Sequence, residues 1–438
     1  MSIAELKLFS KRIQAAVLEA ADPAKATARA LHRAPLRLAQ GRLVFIAVGK
    51  ASRAMAGAAL EILGPAVSEC LVVLPHGYPS SPLRDPRAQI LHAGHPIPDD
   101  HGAAAARRVA ELVEGMEESD LCLFLISGGS SSLLPNPPAG VSLGDMVQTT
   151  SLLLQCGAGI RELNTVRKHL SGISGGRLAL SCRGTMVTLA ISDVVGDDIA
   201  VVGSGPTVPD PSTFSDALEV FARYDLASRV PGSVRTLLEE GAAGRLPETP
   251  KALPERHTAL IVASSALAVE AAAAEARACG FAPLVLTSAL TGEAREAGRL
   301  LAAVARESRL HDRPVPAPAC IIAAGETTVT VKGSGTGGRN QEIALAAAIE
   351  LRDTPGVLLT SFATDGQEGN SDAAGGYASS LTIAAGLRAG QDARSCLARN
   401  DSFAFLSAAG ETIRTGPTGT NVNDITFALV EKSVGEKS

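Results

Sequence analysis

The sequence predicts an α/β protein with two three-layer α/β/α domains and a cleft between them. Short apolar segments alternate with amphipathic ones, as where Leu43–Val48 precedes an Ala-rich stretch that extends to about Leu63. These short segments are continuously apolar, which is typical of parallel strands covered by helices on both faces. A Pro-rich, charged segment at 247–257 interrupts the alternation, which restarts beyond it and so indicates a second domain.

The composition fits this class and excludes several others. Hydrophobic residues make up 46% of the 438 residues, and 40 Lys and Arg against 45 Asp and Glu give a net charge of −5. This mild acidity predicts neither a nucleic acid nor an anionic membrane surface as a partner. The seven cysteines are scattered without a C-x-x-C pair, and no apolar run is long enough to span a bilayer. We therefore expect a cytoplasmic monomer or homodimer without a membrane partner.

The individual elements follow from the same periodicities. Roughly the first 30 residues have helical spacing, and the next strands are predicted at 43–48, 70–74, 121–126 and 186–191. Beyond the Pro-rich segment, helices are predicted at about 265–279, at 292–308 and from Asn340, with strands at 258–263, 282–287, 320–323, 327–331, 357–360 and 425–430. The predicted domains are 1–246 and 258–438, with the alternative that the N-terminal helix packs on the second domain.

Polar, glycine-rich loops directly follow four of the predicted strands. These loops are Gly49-Lys50, Ser127–Ser132, Ser192–Asp198 and Ala363–Gly376. In open parallel sheets ligands bind at the carboxyl ends of the strands, so four such loops predict an extended ligand site.

In the first half, the loop residues favour an anionic ligand. Lys50 begins a helix whose free backbone amides suit an anionic oxygen, although the Walker A pattern is missing. A phosphate or carboxylate nest is predicted on the next loop, with a flexible turn as the alternative, at Ser127, Gly128, Gly129 and Ser130.

Two further segments of this half carry charged groups. Arg167 and Lys168 belong to a basic cluster that suits a phosphorylated or carboxylated ligand, and a solvated helix face is the alternative. Asp193 directly follows a strand, where a carboxylate can hold Mg²⁺ or a substrate hydroxyl.

One glycine loop in the second half allows two interpretations. Gly333, Gly335 and Gly338 satisfy the dinucleotide pattern G-x-G-x-x-G, with Asp365 in the place of a ribose-binding acid. Against this, the helix starts with charged residues from Arg339, and the spacing to Asp365 exceeds the usual ~20 residues. An arginine on a glycine loop equally suits a transferring phosphoryl group.

Taken together, these groups favour phosphoryl transfer. That reaction needs cations beside the phosphates, a carboxylate-held Mg²⁺ and a positioned acceptor hydroxyl. The eight histidines show no ligand pair at i, i+4 and no cluster with cysteine, so no zinc site is expected.

Nine segments, in order along the chain, resemble the glycerate 2-kinase family. They are AVGKAS at 47–52, GHPIPD at 94–99, LISGGSSSLL at 125–134, LNTVRKHLSGISGGRLA at 163–179, SDVVGDD at 192–198, GSGPTVPD at 203–210, GSGTGGRNQE at 333–342, ATDGQEGNSDAAGG at 363–376 and GPTGTNVND at 416–424. The N-terminal part resembles the Rossmann-like domain of that family, and the segment at about 319–430 resembles its MOFRL domain.

The resemblance implies phosphorylation of D-glycerate on the 2-hydroxyl, with ATP and Mg²⁺ as cofactors and 2-phosphoglycerate as product. Lys50 and Arg339 match the catalytic basic pair of the family, and Asp193 and Asp365 are expected to hold Mg²⁺ or accept the hydroxyl proton. The other expected contacts are Ser127, Gly128, Gly129, Ser130, Gly333, Gly335 and Gly337 for the nucleotide phosphates, and Arg167, Lys168 and Asn340 for the substrate.

The alternative function is an NAD(P)H-dependent hydroxypyruvate reductase, a name that members of this family have often carried. Only the G-x-G-x-x-G pattern favours it. A third interpretation, a non-catalytic sugar-acid binding protein, leaves the charged groups without a purpose. A reductase must oxidise NAD(P)H, a kinase must consume ATP, and a binding protein must do neither.

Overall fold

The chain forms two structural units that are not contiguous in sequence. The computed structural model describes residues 1–34, 36, 41–78, 83, 85 and 87–432. The N-terminal unit comprises Pro23–Ser192 and Asp198–Val262, and the C-terminal unit comprises Met1–Asp22, Asp193–Asp197 and the chain from Ala263 onward. Each unit contains a six-stranded sheet, which confirms the predicted α/β class.

The sheet of the N-terminal unit has a parallel centre. Its strands are β1 (Leu43–Val48), β2 (Val67–Pro75), β3 (Ala88–Ala93), β4 (Leu121–Ile126), β5 (Thr185–Ile191) and β6 (His257–Ala263). They lie in the order β3-β2-β1-β4-β5-β6, and the strands from β3 to β5 pair in parallel. Every residue of the central strands β1 and β4 is buried, which explains their continuously apolar sequences.

The sheet of the C-terminal unit is mixed. Its strands are β7 (Ala282–Leu290), β8 (Ala319–Gly325), β9 (Val357–Ala363), β10 (Gly375–Ser379), β11 (Thr412–Ile413) and β12 (Asp424–Val430), in the order β11-β10-β9-β12-β8-β7. β12 runs antiparallel between β8 and β9, so these two strands point the same way on either side of it. Consequently Asp424, the first residue of β12, pairs with the last residues of both neighbours, Gly325 and Ala363.

Helices cover the two sheets. In chain order they are α1 (Ile3–Ala21), α2 (Pro23–Arg33), α3 (Ser52–Leu63), α4 (Asp100–Glu114), α5 (Ser130–Leu133), α6 (Leu143–Gln155), α7 (Ile160–His169), α8 (Arg177–Ser181), α9 (Phe214–Arg223), α10 (Gly232–Ala242), α11 (Ser265–Ala278), α12 (Ala294–His311), α13 (Arg339–Leu351), α14 (Thr382–Arg388), α15 (Ala393–Ala398) and α16 (Ser402–Ala409). Short 3-10 helices lie at Gly64–Ala66 and Val202–Ser204. Within the described part of the chain, no helix has the length and apolar character needed to cross a bilayer.

Alternate residues of the C-terminal sheet face helices on opposite sides. Leu359 of β9 belongs to a buried cluster with Leu301 of α12 and Ile343 of α13. The next residue, Thr360, faces α1 instead, where its hydroxyl oxygen lies 2.8 Å from that of Ser10. The sheet is therefore the middle layer of three, as expected.

The predicted N-terminal helix is in fact two helices. α1 ends at Ala21 and α2 begins with Pro23, because proline disfavours helical backbone at the residue before it but suits the first turn of a helix. Asp22, between them, has a ψ of 120°. Since α1 belongs to the C-terminal unit and α2 to the N-terminal unit, the observed division differs from the predicted domains 1–246 and 258–438.

The strand predicted at 258–263 does not open the second domain. It corresponds to β6, which lies beside β5 at the edge of the N-terminal sheet. The Pro-rich segment before it also packs on this unit, since the Asp210 amide donates to the Pro250 carbonyl at 2.9 Å and Glu248 accepts from the Phe214 amide at 3.0 Å. Proline and charge therefore indicate irregular backbone here rather than an absence of tertiary contacts.

Candidate active site

An open cavity of about 830 Å³ in the C-terminal unit lies where β8 and β9 end. Its wall includes Glu326 directly after β8, Asp365 shortly after β9 and Arg339 at the start of α13. Val195 also lines it, so the short segment Asp193–Asp197 contributes to this cavity as part of the C-terminal unit. The volume is in the range of sites for ligands the size of a nucleotide. We call it the acidic cavity.

Arg339 is held in place by two carboxylates at the acidic cavity. Its Nε and Nη2 donate to Asp424, with Nη2 3.2 Å from Oδ1, and its Nη1 donates to Glu326 at 2.8 Å. The side chain of Asp424 is 6% exposed and that of Arg339 is 30% exposed. Three of the five guanidinium N–H groups are used in this way, which leaves two for a ligand in the cavity.

Burial shifts the protonation of the acids around Arg339. It raises the pKa of Asp424 to about 6, against the opposing effect of the Arg339 contact. Burial and the charge of Asp424 raise the pKa of Glu368 to about 8. Burial by itself would lower the pKa of Arg339, but its hydrogen bonds to Asp424 and the charge of Glu326 raise it. Arg339 therefore stays charged among several carboxyl groups, and the wall as a whole favours a cation.

The glycine loop of this cavity does not offer its amides to a phosphate. Each N–H group donates within the protein instead: Gly333 to Asn400 Oδ1 at 3.0 Å, Gly335 to the Arg399 carbonyl at 3.1 Å and Gly337 to Asn370 Oδ1 at 2.9 Å. Gly335 and Gly337 do line the cavity. In this arrangement the three N–H groups are used within the protein, and the contact of Gly333, Gly335 and Gly337 with the nucleotide phosphates stays a prediction.

The N-terminus of α13 is occupied as well. In a dinucleotide-binding fold the pyrophosphate lies on the first amides of this helix. Here the Glu368 carboxylate accepts hydrogen bonds from the backbone N–H groups of Asn340 and, at 3.1 Å, of Gln341. Moreover, residues 327–331, predicted as a strand, form only an isolated bridge, so the loop does not follow a strand directly. Both features contradict the dinucleotide interpretation of the G-x-G-x-x-G pattern.

Two predicted substrate contacts lie inside the protein. Asn340 is fully buried, and its side-chain carbonyl accepts a hydrogen bond from Ser361 Oγ at 2.6 Å. Lys168 is buried beside Asp210, with Nζ 3.1 Å from a carboxylate oxygen. Neither side chain is accessible to a ligand in this arrangement, which corrects the expectation that they contact the substrate.

In the N-terminal unit, the loops after β1 and β4 are hydrogen-bonded to each other. The Ala51 amide donates to Ser127 Oγ at 3.0 Å, and the hydroxyl of Ser130 donates to the Val48 carbonyl at 3.1 Å. Both serines are buried. Their hydroxyl groups therefore stabilise the loops in this arrangement, and their role as phosphate ligands stays a prediction.

Lys50 lies beside this loop with its side chain exposed. Within the described residues it forms no ion pair and no side-chain hydrogen bond. Gly129 has a φ of +90°, and a Cβ there would lie 2.8 Å from His95 Cδ2 and 3.6 Å from Lys50 Cγ. Glycine is therefore needed both for the backbone conformation and for the close approach of these side chains.

His95 is a candidate site residue that sequence reasoning missed. Burial and the charge of Lys50 lower its pKa, which keeps the imidazole neutral at pH 7. The available signal was its place in GHPIPD, one of the nine segments that resemble the family. We call Lys50, His95, Gly128 and Gly129 the lysine corner.

Arg167 faces a second, smaller cavity of about 30 Å³ in the N-terminal unit. We call it the serine pocket, because its wall includes Ser131, Ser132, Ser171, Ser174 and Ser204. Burial lowers the pKa of Arg167, and no carboxylate or other acceptor among the described residues pairs with its guanidinium. A largely buried cation that faces hydroxyl groups is suited to an anion, and this volume accommodates about two waters or one carboxylate group.

The comparisons with known proteins cover almost the whole chain. The domain of unknown function DUF4147 matches residues 9–239, and the MOFRL family matches residues 319–424. The chain is 42% identical to D-glycerate 2-kinase of Thermotoga maritima over 97% of its own length and 98% of that protein. A relative in Agrobacterium vitis, 42% identical over 96% of this chain and 93% of its own, is provisionally named a hydroxypyruvate reductase.

Structural similarity gives the same result. The crystal structure of a glycerate kinase from Thermotoga maritima matches with a TM-score of 0.90 and 42% identity, covering 98% of this chain and 100% of that one. With such similarity along almost its whole length, the chain belongs to the glycerate 2-kinase family.

Proposed function

We propose that this protein is an ATP- and Mg²⁺-dependent kinase that phosphorylates D-glycerate on its 2-hydroxyl to give 2-phosphoglycerate. The observation that carries the proposal is the 42% identity to D-glycerate 2-kinase over 97% of the chain. The similarity extends over both units.

In the proposed reaction, the 2-hydroxyl oxygen of glycerate forms a bond to the γ-phosphorus of ATP, and the bond from that phosphorus to ADP breaks. Negative charge spreads over the phosphoryl oxygens, where positioned cations stabilise it. Lys50 suits this role because its ammonium group has no partner within the described residues. Arg339 suits it because two carboxylates fix its guanidinium and still leave two N–H groups.

Asp193 and Asp365 are the proposed ligands of Mg²⁺ or acceptors of the hydroxyl proton. Asp365 lines the acidic cavity, and so does Val195 of the segment that contains Asp193. Carboxylate oxygens are the protein ligands that Mg²⁺ prefers, so the acid-rich wall fits this ion. When bound, Mg²⁺ would offset the charge of the phosphates beside a wall that is itself acidic.

The serine pocket is the proposed site for the carboxylate of glycerate. Its volume of about 30 Å³ suits a carboxylate but not a nucleotide. Arg167 supplies the positive charge, and the hydroxyl groups of Ser171 and Ser174, which donate to no other described residue, supply further donors. The backbone of Gly128 and Gly129 remains the proposed phosphate contact beside Lys50.

The decisive experiment determines the product. Purified protein is incubated with D-glycerate, ATP and Mg²⁺, and the product is given to enolase without phosphoglycerate mutase. Phosphoenolpyruvate is expected, because enolase accepts only the 2-phosphate. Consumption of ATP without phosphoenolpyruvate would contradict the 2-position and indicate a 3-kinase.

A parallel reaction tests the alternative enzyme. The same preparation receives hydroxypyruvate with NADH or NADPH, and the absorbance of the reduced nicotinamide is followed. No oxidation is expected, because Glu368 occupies the helix N-terminus that a dinucleotide would need. Oxidation of the nicotinamide without any use of ATP would overturn the proposed function.

A further inference from the structure

Two histidines from different parts of the N-terminal unit meet at one oxygen of an aspartate. His76 directly follows β2, Asp99 is the N-cap of α4, and His101 is the second residue of that helix. Asp99 Oδ2 lies 2.7 Å from His76 Nε2 and 3.4 Å from His101 Nδ1. One ligand atom from each residue lies within 4.8 Å of the other two.

The carboxylate at the centre of this group is held firmly. Asp99 Oδ1 accepts the amides of Gly94 and Gly102, both at 2.9 Å. These two hydrogen bonds fix the plane of the carboxylate and leave Oδ2 directed at the two imidazoles. Such outer contacts are what orients a carboxylate ligand in known metal sites.

The two imidazoles are accessible from solvent. The side chains of His76, Asp99 and His101 are 50%, 31% and 74% exposed. An ion can therefore reach the three ligand atoms, and water can complete its coordination. Exposure also allows the rings to rotate without displacing packed residues.

We propose that His76, Asp99 and His101 form a binding site for a divalent transition-metal ion such as Zn²⁺ or Co²⁺. In a tetrahedral site with bonds of about 2.0–2.1 Å, neighbouring ligand atoms lie about 3.3 Å apart. The observed separations of 2.7 and 3.4 Å lie on either side of that value, so small rotations of the imidazoles suffice. Imidazole nitrogen selects these ions over Mg²⁺, which prefers oxygen ligands.

The site is separate in chemistry from the Mg²⁺ of the proposed kinase and does not depend on that function. It also differs from the expectation that no zinc site exists. That expectation rested on the missing i, i+4 spacing, which detects only ligands on one helix. Here the histidines come from the end of a strand and the start of the helix α4.

The test measures metal binding directly. Full-length protein without an affinity tag is freed of metal with a chelator and titrated with Co²⁺, and the visible d–d absorption is recorded. We expect one equivalent to bind with the intense absorption of tetrahedral Co²⁺, which Zn²⁺ removes and excess Mg²⁺ does not. Zn²⁺ should also raise the thermal unfolding midpoint of the wild-type protein.

Variants assign the binding to these residues. His76→Ala and His101→Ala are each expected to weaken Co²⁺ affinity by at least about 10-fold. His311→Ala, at an exposed histidine at the end of α12, is the control and should bind as the wild type does. Thermal unfolding of the metal-free variants shows whether they are folded. The His101 side chain is 74% exposed, so we expect His101→Ala to fold. If His76→Ala is unstable, His101→Ala alone assigns the binding site.

Two results would overturn the proposal. One is the lack of saturable Co²⁺ and Zn²⁺ binding by the wild-type protein. The other is binding that both histidine variants retain at full affinity or that Mg²⁺ displaces.

Discussion

The two units place their cations in opposite electrostatic surroundings. In the N-terminal unit, the side chains of Lys50 and Arg167 have no acidic partner among the described residues. In the C-terminal unit, Arg339 lies between Asp424 and Glu326. An unpaired cation keeps its full attraction for an anionic ligand, whereas a paired cation is positioned precisely but offers less net charge. Lys50 and Arg167 therefore remain available to an anion, whereas Arg339 is fixed in position among acidic groups.

The largest effects are expected where each unit loses the cation that we propose to be catalytic. Lys50→Ala and Arg339→Ala should each lower kcat by about 100-fold or more, because both remove positive charge from the transferring phosphoryl group. The enolase-coupled assay measures this effect. Lys11→Ala and Arg352→Ala, at exposed positions of α1 and the end of α13, are the matched controls and should leave kcat unchanged. A near-wild-type kcat in either test variant would refute the role of that residue.

A second pair of variants sharpens the contrast between a free and a paired cation. Arg167→Met should raise KM for D-glycerate by about 10- to 100-fold, since it removes a charged hydrogen-bond donor from the serine pocket. KM for ATP should stay unchanged. Arg161→Ala, an exposed arginine on the same helix, is the control. If KM for ATP rises instead, the pocket holds phosphate and not the carboxylate.

A smaller effect is expected when the partner of Arg339 is changed. Asp424→Asn keeps the size of the side chain but removes the charge that holds the guanidinium. We expect kcat to fall by about 10-fold with KM for D-glycerate little changed, because hydrogen bonds to charged groups contribute about 1.5–3 kcal/mol and Glu326 still holds part of the side chain. Steady-state kinetics at saturating ATP tests this. An unchanged kcat would show that Asp424 does not position Arg339.

The smallest effect concerns the pH dependence of stability. The pKa of Glu368 is about 8 in the folded protein and near 4.5 when exposed, so the folded state binds more protons between these values. Stability from this group is then fully present below about pH 4.5 and is lost as the pH rises to about 8.

Glu368→Gln removes this titration. We expect the thermal midpoint of the wild type, relative to this variant, to fall by a few degrees between pH 5 and pH 9. Differential scanning calorimetry of both proteins across that range measures the difference. If the wild-type midpoint stays constant relative to that of the variant, or rises relative to it as the pH rises, the raised pKa of Glu368 is contradicted.

Local sequence patterns predicted most elements because burial on both faces leaves a continuous apolar signature. The predicted bounds of β4, 121–126, are those of the structure, and the predicted start of β12 differs by one residue. Lys50 and Arg339 can be proposed as site residues because each follows a glycine and lies at or just before the start of a helix, which is a local feature. His95 and Asp424 were not recognised, because a residue after a strand or at the start of one has no distinctive spacing.

The sequence by itself therefore determined the α/β class, the strands and the loops that carry charge, since these depend on neighbouring residues. Only the tertiary structure decided which groups meet. Insertion of β12 between β8 and β9 brings Asp424 to Arg339, and distant acceptors such as Asn400 occupy the amides of the glycine loop. Strand order and hydrogen-bond partners depend on contacts between residues tens to hundreds of positions apart, which no local periodicity specifies.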